Sequence, residues 1–153
     1  MVKVSTTHNS GNEAIAAKST GSSSLTKAST HASEAFSSIL KASSIQAFDG
    51  SLKELISTVK SAGEKFIRNP NDELLKSYKD SITLFLDQFR KEFLRLKEEF
   101  GTKRNGEQKI NILIETVSEE VATVTRETLS ESKATELLAS LDDIRGLVID
   151  ILG

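Results

Sequence analysis

Residues 69–101 read NPNDELLKSYKDSITLFLDQFRKEFLRLKEEFG. Within them Leu75, Tyr78, Ile82, Phe85, Phe89, Phe93, Leu96 and Phe100 recur at steps of 3, 4, 3, 4, 4, 3 and 4. That spacing lays one apolar stripe along an α-helix; a strand would alternate every two residues. The end signals agree. Asn69 is placed to cap, and Pro70 fits the first helical position, where its missing N–H has no intrahelical partner to lose. Asp72 and Glu73 favour the positive helix end, and Gly101 suits a C-terminal cap. The two consecutive steps of four move the repeat toward 11 residues and remove left-handed supercoiling. The stretch predicts a nearly straight helix of about 29 residues, roughly 43 Å long.

One apolar stripe needs partners on either side. Upstream, Leu52, Leu55, Ile56, Val59, Ala62 and Phe66 form a stripe over Ser51–Arg68. Ser51 and Glu54 fit a Ser-x-x-Glu capping box, and the residue before Pro70 avoids the helical region. Downstream, a loop over 101–106 carries an Asn-Gly turn signal. A helix from about Glu107 to Leu129 then buries Ile110, Leu113, Ile114, Val117, Val121 and Val124. The pattern lapses over Ser130–Lys133, and a fourth helix spans about Ala134 to Leu152. Its apolar residues cover nearly half the surface, which points to burial on more than one side. Gly146 inside it is unfavourable by about 1 kcal/mol relative to alanine, so a close helix–helix contact is expected there.

The first 47 residues differ in kind. Ser and Thr supply 17 of them, and few bulky apolar residues offset the ordering entropy. Residues 1–30 read as a disordered tail and 43–50 as a linker ending in Phe48-Asp49-Gly50. Between them Ala32, Ala35, Phe36, Ile39 and Leu40 mark two or three turns of amphipathic helix, too short to be stable alone. The expected organisation is therefore a Ser/Thr-rich tail over 1–47 and an all-α domain over 48–153, an antiparallel bundle of about four helices with one long central helix.

Charge and composition exclude several classes. The tail holds 4 basic and 2 acidic residues and the rest 16 and 20, so the predicted domain carries −4. A broad basic nucleic-acid surface is not expected. With no cysteine, disulfides, thiolate metal sites and cysteine nucleophiles are ruled out. No run of 18 apolar residues predicts a membrane span, and the N-terminus lacks the apolar stretch of a signal peptide. Cytoplasm is the expected compartment.

Three runs carry a resemblance: Ser77-Tyr-Lys-Asp80 with Phe85-Leu86, Lys103-Arg-Asn-Gly-Glu-Gln-Lys109 before an Ile/Val-rich helix, and Leu141-Asp-Asp-Ile-Arg-Gly-Leu-Val-Ile-Asp150. Together they resemble the YaaR-like family of bacterial proteins from about Tyr78 to Gly153, and more weakly back to Phe48. The resemblance implies an all-helical cytosolic bundle and no activity.

Candidate sites are few. His8 and His31 both fall in the tail, without further ligands at metal-binding spacing. The adjacent carboxylates Glu98/Glu99, Glu119/Glu120 and Asp142/Asp143 point about 100° apart on a helix and share no site. No Gly-x-Ser-x-Gly elbow or phosphate-cradling loop appears. No enzyme, cofactor or metal is expected. On the broad stripe of the fourth helix, Ile144, Arg145, Leu147, Val148 and Ile151 form a candidate interface for self-association. Arg145 either anchors that interface or simply pairs with Asp142 one turn away. Lys103, Arg104 and Lys109, with Arg90, Lys91, Arg95 and Lys97 on the preceding helix, form a candidate anion patch or merely offset nearby glutamates. Phe36, Ile39 and Leu40 form a candidate tail motif that docks in cis or meets a partner groove. Tyr78 reads as a core aromatic with its hydroxyl at the rim. The leading expectation is a protein–protein interaction or adaptor module with an unidentified protein partner or a second copy of itself. Nucleic-acid or polyanion binding through Lys103–Lys109 is the alternative. A membrane-surface role for the 32–40 patch is weaker, since only Lys27 and Lys41 flank it.

Overall fold

A computed structural model describes residues 32–102 and 106–153. The elements are α1 (Val2–Arg68), α2 (Asp72–Phe100), α3 (Arg104–Thr123) and α4 (Glu131–Leu152), with no strand among the described residues. The chain divides into two compact units, Met1–Leu40 and Lys41–Gly153. The disorder expected for residues 1–30 lies outside the described residues.

Short turns and pairwise contacts define the second unit as an up-down-up-down bundle. Gly63 of α1 faces Tyr78 of α2, and the Phe48 and Phe89 rings lie 5.7 Å apart, so α1 and α2 are antiparallel. Lys97 of α2 meets Glu107 of α3 at 2.7 Å. Lys133 of α4 reaches back to Glu120 of α3. The ring closes where Arg145 of α4 bonds Asp49 of α1 at 2.6 Å. Short connections between antiparallel neighbours are the ordinary arrangement for such bundles.

The core follows the predicted stripes. Tyr78, Ile82, Phe85, Phe89, Phe93 and Leu96 are buried on α2, and Ile110, Ile114, Val117 and Val121 on α3. Phe89 sits at the centre of an aromatic row, 6.3 Å from Phe85 and 5.5 Å from Phe93 by ring centroids. Leu55, Ile56, Ala62, Leu75, Phe100 and Leu113 are half-buried against that core.

Four local expectations are corrected. Residues 43–50 are helical, not a linker. Phe48 is buried in the core, and that burial carries the helix through a stretch of poor helix formers, so Ser51 lies inside α1 and caps nothing. At the start of α2 the cap is Asn71, whose side chain accepts from the Leu74 N–H at 2.8 Å. Pro70 thus precedes the helix. Gly101 does close α2, at φ 81° with its N–H donated to Lys97 O at 2.8 Å.

Helix α3 ends at Thr123, earlier than the expected Leu129. Thr125 and Thr128 exchange side-chain-to-backbone bonds, Thr125 N–H to Thr128 Oγ1 at 2.7 Å and Thr128 N–H to Thr125 Oγ1 at 3.2 Å. Such local bonds compete with the helical ladder. Ser130 then caps α4 by accepting from the Lys133 N–H at 3.1 Å. Val124 and Leu129 stay buried on either side of the turn.

The close helix contact occurs at Gly106, not Gly146. Nothing lies within 4 Å of a Cβ placed on Gly146, whereas one on Gly106 would collide with Cγ2 of Ile151. Gly106 is inside α3, so its missing side chain lets α3 and α4 approach rather than serving a turn.

Candidate functional site

Helix α4 shows first what is not on the surface. Ile144 and Val148 are fully buried and Ile151 nearly so, all within this chain's own core. Leu147 is half-buried against it. The breadth of the α4 stripe is met by packing between α1, α2 and α3.

Arg145 has both partners that helical geometry and the bundle allow. Its Nε donates to Asp142 Oδ1 at 3.0 Å, one turn back. Its Nη1 donates to Asp49 Oδ1 at 2.6 Å, and Lys53 adds to Asp49 at 3.2 Å. The Arg145–Asp49 pair is about three-quarters shielded, with side chains 22% and 23% exposed. Burial alone pushes the Asp49 carboxyl up, but Arg145 and Lys53 outweigh it and hold the group below its ordinary 3.8. A lowered folded-state value favours the fold above the ordinary carboxylate range, and that contribution is lost as pH falls through the folded value. Arg145→Met should therefore lower stability by about 1–2 kcal/mol near neutral pH, between the values for exposed and buried pairs. It should also flatten the loss of stability seen on acidification to about pH 3. Urea melts at the two pH values measure both effects.

The basic cluster is largely engaged. Arg95 binds Glu92 at 2.7 Å and Glu99 at 3.0 Å, Lys97 binds Glu107, and Arg90 lies 3.6 Å from Asp87. Lys109 is exposed on α3. Lys103 and the Arg104 side chain lie outside the described residues, as do His8 and His31. Of the carboxylate pairs, Glu99, Glu120 and Asp142 are each tied to a cation. Among the described residues no three metal-competent side chains converge, and no helix is long and apolar enough to cross a membrane.

Tyr78 is the core aromatic expected, but its hydroxyl is buried and does not reach the rim. It is 1% exposed, and its hydroxyl has no hydrogen-bond partner among the described residues. Burial pushes that hydroxyl up to about 12 from its ordinary 10. Since Tyr78 is the single tyrosine, its absorbance should titrate near 12 in the folded chain and near 10 once unfolded. A raised acid pKa favours the fold below the unfolded value, so stability should decline as pH rises from 10 toward 12.

The exposed apolar surface lies elsewhere. Phe36 and Ile39 are each 67% exposed and Leu40 43%, three large apolar side chains within five residues of one helix. Their spacing of 3 and 4 puts them on one face. Leu84, Leu94 and Ile112 are also exposed, but scattered singly, which is ordinary for protein surfaces.

These features define an all-α bundle with an exposed apolar helix face and no assembled catalytic constellation among the described residues. The chain belongs to the family described as "Protein of unknown function (DUF327)", which matches residues 10–152 and includes the YaaR-like proteins. The match reaches well into the Ser/Thr-rich segment, beyond the runs that first suggested the family. No curated protein and no solved structure matches the chain.

Proposed function

We propose that the protein is a non-enzymatic protein–protein interaction module whose contact surface is the Phe36, Ile39, Leu40 face of α1. The observation that carries this reading is the clustering of those three exposed side chains, since a contiguous apolar patch marks an interaction site where single exposed residues do not. The partner that best fits is a second copy of the chain. Antiparallel pairing about a two-fold axis sets Phe36 against Ile39 and Ala35 against Leu40, each contact occurring twice. The same register places Ala32 opposite Ser43 at both ends, two exposed residues on the same face of the helix. A contact this small sits at the transient end of interfaces, below about 1,200 Å².

Sedimentation of the full chain over a range of concentration tests the reading. A reversible dimer is expected for the wild type. Ile39→Asp should leave helical content and melting temperature unchanged, because the residue is exposed, and should hold the chain monomeric. A wild type that stays monomeric at every concentration, or an Ile39→Asp chain that associates as the wild type does, contradicts it.

A further inference from the structure

A groove of about 490 Å³ runs between α1 and α4 over the start of α2. Its inner surface is Gly63, Ile67, Tyr78, Ala134 and Leu138, and its rim carries Lys60, Glu64, Arg68 and Glu131. The rim holds two cations and two carboxylates, so it favours no net charge. The volume falls within the roughly 300–1,000 Å³ of small-molecule sites, which are mostly apolar with a few placed polar groups.

Two features single out this groove. The first is the Tyr78 hydroxyl, shut off from water and bonded to no described residue, although buried polar groups in native proteins are nearly always paired. The second is Gly63, a residue disfavoured inside helices. A Cβ there would stand 3.2 Å from Tyr78 Cε1 and 3.6 Å from Cδ1, so the glycine lets the edge of the ring lie close against α1 in the wall of the groove.

We propose that this groove binds a small uncharged molecule with an apolar body and one hydrogen-bond-accepting oxygen, such as a ketone or ester. The body lies on Ile67, Ala134 and Leu138, and the oxygen accepts from the Tyr78 hydroxyl. The exposed rim side chains Lys60 and Glu64 swing aside to admit it. The site is separate from the α1 face and does not depend on it.

The test uses benzylacetone, a phenyl ring and a ketone on a short chain, titrated into the isotopically labelled full chain while amide resonances are followed. Saturable shifts confined to residues 59–68, 78 and 131–138 are expected. Tyr78→Phe should weaken binding about fivefold, the worth of one neutral hydrogen bond. It should not lower the melting temperature, since no described group loses a partner. Gly63→Ala should also weaken binding by pressing on the Tyr78 ring and moving its hydroxyl. Shifts that never saturate, or that spread over the whole surface, overturn the proposal. So does equal binding by wild type and Tyr78→Phe. A Tyr78→Phe chain that melts lower would show a protein partner for the hydroxyl and overturn it too.

Discussion

Phe89→Ala should lower the stability of the bundle by about 3–5 kcal/mol, the range for emptying a buried aromatic position. Phe89 is fully buried and touches three rings, Phe48, Phe85 and Phe93. Phe48 comes from α1 and the other two from α2. The cavity would thus open where two helices meet, a site that cannot collapse without moving a backbone. Against a typical total of about 5–15 kcal/mol, the loss is about a fifth or more. Urea unfolding measures it, and Leu84→Ala on the exposed side of the same helix should change little. A loss below about 1 kcal/mol would mean that Phe48 does not pack there, returning residues 43–50 to a linker.

Ile144→Ala should cost about 2–5 kcal/mol, and Leu147→Ala about half as much. Ile144 is fully buried, whereas Leu147 is only half-buried. Both losses should be independent of protein concentration, because the residues pack against their own chain. An α4 acting as a subunit interface would give the opposite pattern: a stability difference that grows with concentration, as mass action requires. Thermal melts at two widely separated concentrations distinguish the cases.

The helices were legible where periodicity speaks without competition. The α2 stripe from Leu75 to Phe100 predicted a helix that runs from Asp72 to Phe100, because eight apolar residues at steps of three and four admit one reading. Caps and turns were harder. Asn69 and Asn71 flank Pro70 and both have capping side chains; the choice rests on the Leu74 N–H bond to Asn71. The Thr125–Thr128 turn was hidden because Val121, Val124 and Leu129 continue an apolar series across it. Glycine roles were misread for a similar reason: Gly106 follows an asparagine and looked like a turn, yet Ile151, 45 positions away, requires it.

The candidate sites divide along the same line. Breadth of an apolar stripe cannot reveal whether it is covered by the same chain, so Ile144, Val148 and Ile151 looked available when they are core. The Phe36–Leu40 patch was visible because its spacing is local. Asp49 was passed over as linker, since its partner Arg145 lies 96 positions along the chain. Tyr78 kept its predicted place in the stripe, but no sequence pattern shows that its hydroxyl goes unpaired or that Gly63 lies beside it.

The chain contains no cysteine, which permits one direct measurement of the proposed pairing. Chains carrying Ala32→Cys and Ser43→Cys, both on that face, are mixed, oxidised and separated by mass. Antiparallel contact through the Phe36, Ile39, Leu40 face predicts a mixed disulfide between the two variants, little cross-linking in either alone, and loss of the mixed product when Ile39→Asp is added to both. No mixed product, or equal cross-linking in every combination, would contradict an interaction module built on this face of α1.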